Sequence, residues 1–547
     1  MTTAAELFIR CLENEGVQTI FGIPGEENLN VMDALRDSSI QFITVRHEQG
    51  AAFMADVHGR LTGKAGVCLA TLGPGATNLV TGFADANMDR APVVAIAGQG
   101  ATTRMHKESH QVLDLVNLFE PISKLSREIL EPEIIPELVR KAFKDAQAEK
   151  PGGAFISFPE NIAAMSVDET ALPPLKVQSP VAPAAPADKV RQAAVIIDAA
   201  KFPLIMAGNG VVRSHASDAL VAFAEQLNIP VAQTFMAKGC IPFSHPLSLG
   251  SVGLQAHDYV ACGFDRADVV ICVGFDMVEY HPHSWHPNKD KKIIHIDQTY
   301  AEVDAHYILE AGVLGDIASS LQGIAAEAKK VHAGKTDNLK GIIEDELDDF
   351  AEDSSYPLKP QKILYDTRQA MADDDILISD VGAHKMWIAR LFRCEKPNTC
   401  IISNGFASMG IGVPGAISAK MTYPDRNVLT ITGDAGFMMN SQEIETAMRY
   451  QIAIVIMIWN DSAYGLIKWH QQRRFGRTGN ISFTNPDFVK YAESFGAKGY
   501  RVESADALLP TLQQALADNT VVIVDVPVDY SENMKLTEKL GKLVCPI

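Results

Sequence analysis

The chain has 547 residues, too many for one hydrophobic core; its length suggests about three to four domains, and three are expected. Its 48 basic against 67 acidic residues give a net charge of −19, which opposes binding to nucleic acid or to an anionic membrane and leaves small-molecule chemistry as the expected role. Eight scattered cysteines (Cys11, Cys68, Cys240, Cys262, Cys272, Cys394, Cys400, Cys545) lack metal-ligand spacing and read as reduced thiols of a cytoplasmic protein.

An amphipathic helix is predicted at the start, over 4–14, with neither the basic flank nor the apolar core of a secretory signal. No segment is long and apolar enough to predict a membrane span. Residues 1–165 then alternate apolar runs at 19–22, 42–46, 67–72, 93–97 and 154–158 with helical patterns such as 49–61, the signature of a doubly wound α/β domain. A Pro/Ala-rich stretch, 173–186, reads as a linker. A second α/β domain, 187–330, has strands predicted at 203–208, 229–232, 269–274 and 293–297, and the acidic run 344–353 reads as a solvated helix and linker. The third domain, 357–547, has strands predicted at 376–379, 428–432, 452–459 and 521–526. The expected fold class is α/β, with three doubly wound parallel-sheet domains. A weak internal echo runs from a Gly-rich loop through a small-residue helix and an Asp-Arg pair to an apolar strand, in 71–99 and again in 404–434. It fits one ancestral domain used twice, although two α/β domains would share much of it anyway.

The densest chemistry lies in Val428-Leu-Thr-Ile-Thr-Gly-Asp-Ala-Gly-Phe437 and Ile452-Ala-Ile-Val-Ile-Met-Ile-Trp-Asn-Asp-Ser-Ala-Tyr-Gly465. These read as two buried parallel strands, each ending in an acidic turn at Asp434 and Asp461, joined by a helix for which Asn440 is the expected cap and Glu443 its partner three residues on. Ligands of such sheets bind beyond the strands' carboxyl ends, and hard oxygen donors beside glycines suit a Mg²⁺ that carries a diphosphate. Taken alone, Gly-Asp-Ala-Gly reads equally well as a tight turn with Asp434 as a cap.

The pair has the spacing and flanks of the cofactor motif of thiamine-diphosphate enzymes, and the resemblance covers nearly the whole chain. Val45-Arg-His-Glu-Gln-Gly-Ala-Ala-Phe-Met-Ala55 resembles the glutamate segment of that family, Gly73-Pro-Gly-Ala-Thr-Asn78 the loop that follows it, and Asn404-Gly-Phe-Ala-Ser-Met-Gly-Ile-Gly412 the segment under the thiazolium. Within the family the chain is most similar to the acetolactate synthases of the flavin-free catabolic branch, through His110-Gln111, Val278-Glu-Tyr280, Ile293-Ile-His-Ile-Asp297, Tyr491-Ala-Glu-Ser-Phe-Gly-Ala497 and Val524-Asp-Val-Pro-Val-Asp-Tyr530.

The resemblance implies a pyrimidine-binding first domain, a middle domain and a diphosphate-binding last domain. It assigns Glu48 to the aminopyrimidine, where it promotes the imino form, although a carboxylate at that helix start could equally be a cap. Met409 is placed under the two rings, and Val381, Gly382, Ala383, His384, Gly433, Asp434, Ala435 and Gly436 around the diphosphate. Mg²⁺ falls to Asp434, Asp461 and the Ala463 carbonyl, with Tyr464 and Gly465 beside it. His110 and Gln111 are expected to hydrogen-bond the reacting oxygens, a satisfied histidine being the plainer alternative for His110. The group His281, His283 and His286 lacks the geometry of convergent metal ligands.

Relatives mostly carry asparagine at the position of Asp461, glycine at Ala435 and methionine at Leu466. At the position of His470 they carry glutamine in the catabolic branch and tryptophan in flavin-containing members. Leu466 and His470 fall one helical turn apart on the expected acceptor wall. Flavin-containing members have an Arg-Phe-Asp-Asp-Arg motif where this chain reads Gly274-Phe-Asp-Met-Val-Glu-Tyr-His-Pro-His283, so a structural middle domain without FAD is expected. The implied reaction is acetolactate synthesis from two molecules of pyruvate, a small 2-oxo acid. The alternative is a 2-oxo acid decarboxylase that releases an aldehyde. The implied assembly is a homodimer that pairs into a tetramer.

Overall fold

The computed structural model describes residues 2–168, 170–178, 181–254, 257–336, 339–543 and 545. They form two compact units. One contains Met1–Val181, Gly405–Asp425 and Met438–Ile452; the other contains Ala182–Asn404, Arg426–Phe437 and Ala453–Ile547.

The first unit is built on a six-stranded parallel sheet. Its strands, taken across the sheet, are Gln41–Thr44, Thr19–Gly22, Gly66–Ala70, Val93–Gln99, Gly153–Pro159 and Leu125–Glu128, which in chain order is 2-1-3-4-6-5. The central strands are buried on both faces, and this is why they read as continuous apolar runs rather than as alternating patterns. The Glu48–Thr62 and Pro74–Met88 helices approach closely because Gly82 faces Ala52, where an added Cβ would come to 2.7 Å.

The second unit holds two more parallel six-stranded sheets. One runs Ser248–Val252, Val231–Thr234, Pro203–Ala207, Val269–Val273, Lys292–Asp297, Leu309–Leu314, in chain order 3-2-1-4-5-6. The other runs Cys400–Ile402, Ile376–Ser379, Val428–Gly433, Val455–Asn460, Val522–Pro527, Lys498–Arg501, again 2-1-3-4-6-5. The first and last sheets therefore share one strand order, and the middle sheet has the order typical of dinucleotide-binding folds. All three are doubly wound and parallel, as expected.

Several expectations are corrected. Each sheet has one or two strands that the periodicity missed: Leu125–Glu128, Ser248–Val252, Leu309–Leu314, Cys400–Ile402 and Lys498–Arg501. All five lie at sheet edges, where one side goes unpaired and the apolar run is short. Asn440 is not a helix cap. It ends the Asp434–Asn440 helix and its amide donates to the Gly410 carbonyl at 2.8 Å, while the next helix begins at Glu443 with Gln442 before it. The acidic run is only partly solvated, because the Leu339–Asp348 helix buries Ile343 and Leu347 and pairs Glu346 with Arg390 and Lys539. Six cysteines are buried free thiols, but Cys262 and Cys545 are joined in a disulfide, so these two are not the reduced thiols expected.

Candidate active site

In an open parallel sheet the ligand crevice lies where the strand order reverses, beyond the carboxyl ends of the two strands that diverge. In the last sheet those strands are Ile376–Ser379 and Val428–Gly433, and they lead into Val381-Gly-Ala-His384 and Gly433-Asp-Ala-Gly436. The neighbouring strand Val455–Asn460 brings Asp461 to the same edge.

Asp434 is almost fully buried. Its Oδ1 accepts the Ala435 N–H at 2.9 Å, and its Oδ2 accepts the Ser462 N–H at 2.6 Å and the Asn485 amide at 2.8 Å. Burial raises its pKa against these bonds. Asp461 is less fortunate. Its Oδ2 is buried with no hydrogen-bond partner, and burial followed by the charge of Asp434 pushes its pKa up to about 7. Two carboxylates that each need a positive partner, one with an unused lone pair, suit a hard divalent cation, so the donor set fits Mg²⁺. Ala463 follows at once, held by a bridge to Ser482, and the Tyr464 N–H donates to the Ile481 carbonyl at 2.9 Å.

The glycines are required by the close packing of these turns. A Cβ on Gly382 would meet the His384 ring at 2.8 Å, and one on Gly436 would meet Asp380 Oδ1 at 3.1 Å. His384 is fully buried, its pKa is pushed down to about 4 by desolvation, and its Nε2 lacks a partner, so it is a neutral imidazole at the floor of the crevice. Asp380 fixes the turn above it by accepting the Val381 N–H at 2.6 Å and the Thr432 hydroxyl at 3.2 Å. Ala383 and Tyr530 flank Gly465 from the other side, each about van der Waals distance from where a Cβ would sit.

In the first unit Glu48 opens its helix, buried, and its Oε2 accepts the Asn78 amide at 3.0 Å. Gly75 clears the space beside Oε1. The strand-to-helix turn that presents Glu48 is held by Glu443, whose carboxylate accepts the N–H groups of Arg46 and His47 at 3.0–3.2 Å and the Thr446 hydroxyl at 2.6 Å. Glu443 therefore braces another segment rather than capping its own helix as the sequence pattern implied.

The segment that carries Met409 is equally constrained. Arg60 is buried among Asp56, Asp85 and Asp89 at 2.6, 2.7 and 2.9 Å. The second oxygens of two of these acids reach the loop, Asp89 accepting the Gly405 N–H at 2.5 Å and Asp85 the Ser408 N–H at 3.3 Å. These contacts hold Ala407 at φ 56°, a left-handed conformation costly for a residue with a Cβ. His110 and Gln111 are exposed, and the Gln111 backbone, at φ 57°, comes so close to Gly73 that a Cβ there would meet its carbonyl at 2.8 Å.

Leu466 and His470 do share a face of the Gly465–Phe475 helix. They line an apolar cavity of about 500 Å³ with Leu254, Met386, Trp469 and Leu536. Burial and then Arg473 lower the pKa of His470. The sequence reading missed Asp380, Asn485, Glu443 and Tyr530 as parts of these arrangements. Only Asp380 left a signal, an acid closing an apolar strand.

Comparison with known proteins agrees with this geometry. Residues 2–118 match the thiamine pyrophosphate enzyme N-terminal TPP binding domain, residues 190–324 the central domain and residues 380–526 the C-terminal TPP binding domain of the same family. An acetolactate synthase of Bacillus subtilis (strain 168) is 39% identical over 555 residues, which cover 98% of this chain and 95% of the relative. A catabolic acetolactate synthase of Raoultella terrigena is 36% identical over 547 residues, covering 98% and 97%. A probable acetolactate synthase large subunit of Methanocaldococcus jannaschii is 37% identical over 561 residues, covering 98% and 94%. With identity sustained over nearly the full length, the chain belongs to the thiamine pyrophosphate enzyme family, in the group of the acetolactate synthases.

Proposed function

We propose that this chain is a cytoplasmic acetolactate synthase that decarboxylates pyruvate and joins the remaining two-carbon unit to a second pyruvate, giving carbon dioxide and 2-acetolactate. Its cofactors are thiamine diphosphate and Mg²⁺. The observation that carries the reading is buried Asp434 beside partly exposed Asp461 at the switch point of the last sheet, where the buried Asp461 Oδ2 has no partner. When bound, the cofactor supplies the acidic carbon that adds to a 2-oxo acid and the electron sink for decarboxylation. Asp434, Asp461 and the Ala463 carbonyl would hold the metal, the glycine turns at 381–384 and 433–436 the diphosphate, and Met409 the space beneath the rings. Glu48, kept buried and oriented by Asn78, would hold or receive a proton at the aminopyrimidine. His110 and Gln111 would meet the reacting oxygens, and Leu466 and His470 the second 2-oxo acid.

The middle domain works without flavin in this reading. Its switch point lies between Pro203–Ala207 and Val269–Val273, and there Glu279 puts its own carboxylate on the Asn209 N–H at 3.0 and 3.1 Å, the position in which a dinucleotide phosphate would be received. Gly208 and Gly274 close the remaining gap, since a Cβ on Gly208 would lie 2.4 Å from the Gly274 carbonyl. Purified protein should therefore show no stoichiometric flavin absorbance and gain no activity from added FAD.

Glu48 and Asp434 belong to different α/β domains, and a single such crevice leaves much of a cofactor exposed to water that would quench the reactive carbon. The catalytic unit in this reading is a homodimer, paired into a tetramer, in which one subunit's Glu48 serves another's Asp434. Co-expressed Glu48→Gln and Asp434→Ala chains should regain partial activity as verified mixed dimers; no activity above either parent means that the site is built within one chain. The deciding assay for the reaction supplies pyruvate and measures acetolactate and acetaldehyde together. Acetolactate as the main product supports the synthase, whereas acetaldehyde alone makes the enzyme a 2-oxo acid decarboxylase.

A further inference from the structure

We propose that Cys262 and Cys545 are a thiol–disulfide exchange site that anchors the Ser531–Gly541 helix along the wall of the apolar cavity, and that its reactant is a low-molecular-weight disulfide. The two sulfurs are bonded across a sequence separation of 283 residues. Cys262 lies buried in the Tyr259–Arg266 helix of the middle domain, and Cys545 follows the Ser531–Gly541 helix by a few residues. That helix presents Leu536, Thr537 and Leu540 to the cavity, joined by Leu543, and faces Leu466, Trp469 and His470 of the Gly465–Phe475 helix. It is pinned midway, where Trp469 donates to the Thr537 hydroxyl at 2.8 Å. Trp387 Nε1 also donates to Asn533 Oδ1 at 2.7 Å and Lys539 pairs with Glu346 at 2.8 Å; the disulfide supplies a further pin, just beyond Leu543, on the side where His257 of the middle domain enters the same cavity lining.

The surroundings suit exchange chemistry. The other six cysteines are buried, whereas Cys545 is partly exposed and stands beside two exposed polar groups. The His257 imidazole lies within 4.8 Å of both sulfurs, and Asp265 Oδ2 is 2.8 Å from His257 Nε2 and 3.5 Å from the Cys545 sulfur. Starting from the dithiol, one thiol gives up its proton and its sulfur attacks a small disulfide RSSR, forming a mixed disulfide and releasing one RS⁻. The second thiolate then displaces the other RS⁻. Two protein thiols are oxidised to one disulfide, RSSR is reduced to two RSH, and the two thiol protons end on the leaving thiolates, with His257 placed to carry them.

The experiment uses the full-length holoenzyme, equilibrated either with oxidised glutathione or with a reductant that is then removed. Thiols are counted after denaturation, and hydrogen exchange is followed in peptides covering 531–543. The expected count is six thiols in the oxidised form and eight in the reduced form, with one cross-linked peptide pair containing Cys262 and Cys545. Exchange in 536–543 should be faster by about tenfold or more in the reduced form. Cys545→Ser and Cys262→Ser should each give seven thiols after reduction, and after oxidation should carry glutathione on the remaining cysteine in place of the cross-link, with the fast exchange under both conditions, so the result does not rest on a single variant. Eight thiols after oxidation, or exchange that does not respond to the redox state, would overturn the proposal. So would reduced protein that purifies with one zinc per chain and loses it on Cys545→Ser, because His257, Cys262, Asp265 and Cys545 would then be a metal site.

Discussion

The middle and last sheets bring similar material to their switch points, a strand, a glycine turn and a buried acid, and use the acid in opposite ways. In the middle sheet Glu279 is saturated: Oε1 takes the Asn209 and Asp276 N–H groups at 3.1 and 3.2 Å, and Oε2 takes Asn209 again and the Thr234 hydroxyl. In the last sheet Asp461 Oδ2 has nothing, and Asp434, its neighbour in charge, makes matters worse. A shared fold therefore does not make a shared site. The difference is whether the chain meets the needs of its own polar groups, and a crevice becomes a binding site where it leaves them unmet.

The largest effect expected from this contrast follows Asp434→Ala. Turnover of pyruvate should fall about 10²-fold or more, and the rise in Tm that Mg²⁺ with thiamine diphosphate gives the parent should vanish. Steady-state assay and a thermal-shift titration measure the two. A variant that keeps the ligand-induced rise breaks the comparison, since its carboxylate was not waiting for a cation. Glu279→Ala should do the reverse. It strands two buried N–H groups and a hydroxyl, which costs about 1–3 kcal/mol of stability, while turnover per folded molecule stays within about twofold. A fall in turnover per folded molecule well beyond twofold would mean that the middle crevice takes part in catalysis.

How much of this was legible before the structure depends on distance along the chain. The central strands and their terminal acids declared themselves because strands buried on both faces are continuous apolar runs, and because the residue that ends such a strand is its ligand-facing position. Asp434 and Asp461 were legible that way, whereas Val381–His384 and Glu48 were proposed through the family resemblance alone. The braces were not legible. Asn485 reaches Asp434 from 51 positions away and Glu443 reaches His47 from 396, and no local pattern encodes such pairs. Glu443 looked like half of a capping box because the box is defined by spacing, whereas its carboxylate had a better offer from a turn elsewhere in the first unit. The Cys262–Cys545 bond escaped for the same reason.

A smaller effect sharpens the comparison from the side of charge. Asp461→Asn keeps an oxygen donor for the metal and removes one of two like charges from a buried edge. Metal-free protein should gain a few degrees in Tm, about what 1 kcal/mol brings to a chain of this size or somewhat more, and turnover with excess Mg²⁺ should stay within about tenfold of the parent. Calorimetry with and without chelator tests the first part. A lower Tm in the metal-free variant would mean that Asp461 is held by contacts that its unpartnered oxygen conceals.

The last effect concerns pH and belongs to Glu279. Burial first, and the charge of Asp276 second, push its pKa up to about 8 from the ordinary 4.5. Between those two values the folded chain keeps a proton that the unfolded chain has already released, so the folded state binds more protons and stability falls as pH rises. The contribution is intact below about pH 4.5, declines through neutrality and levels off above about pH 8. The steepest slope this one group can give is about 1.4 kcal/mol per pH unit, and relaxation around the site will reduce it. Glu279→Gln has nearly the same shape and no proton to lose. Its unfolding midpoint in urea should fall less between pH 6 and pH 8 than that of the parent, with the two curves diverging toward the alkaline end. Parallel curves would show that the carboxylate is already charged at pH 6, held by its four hydrogen bonds against burial, and the middle crevice would then differ from the last sheet only in how completely its charge is solvated by the chain.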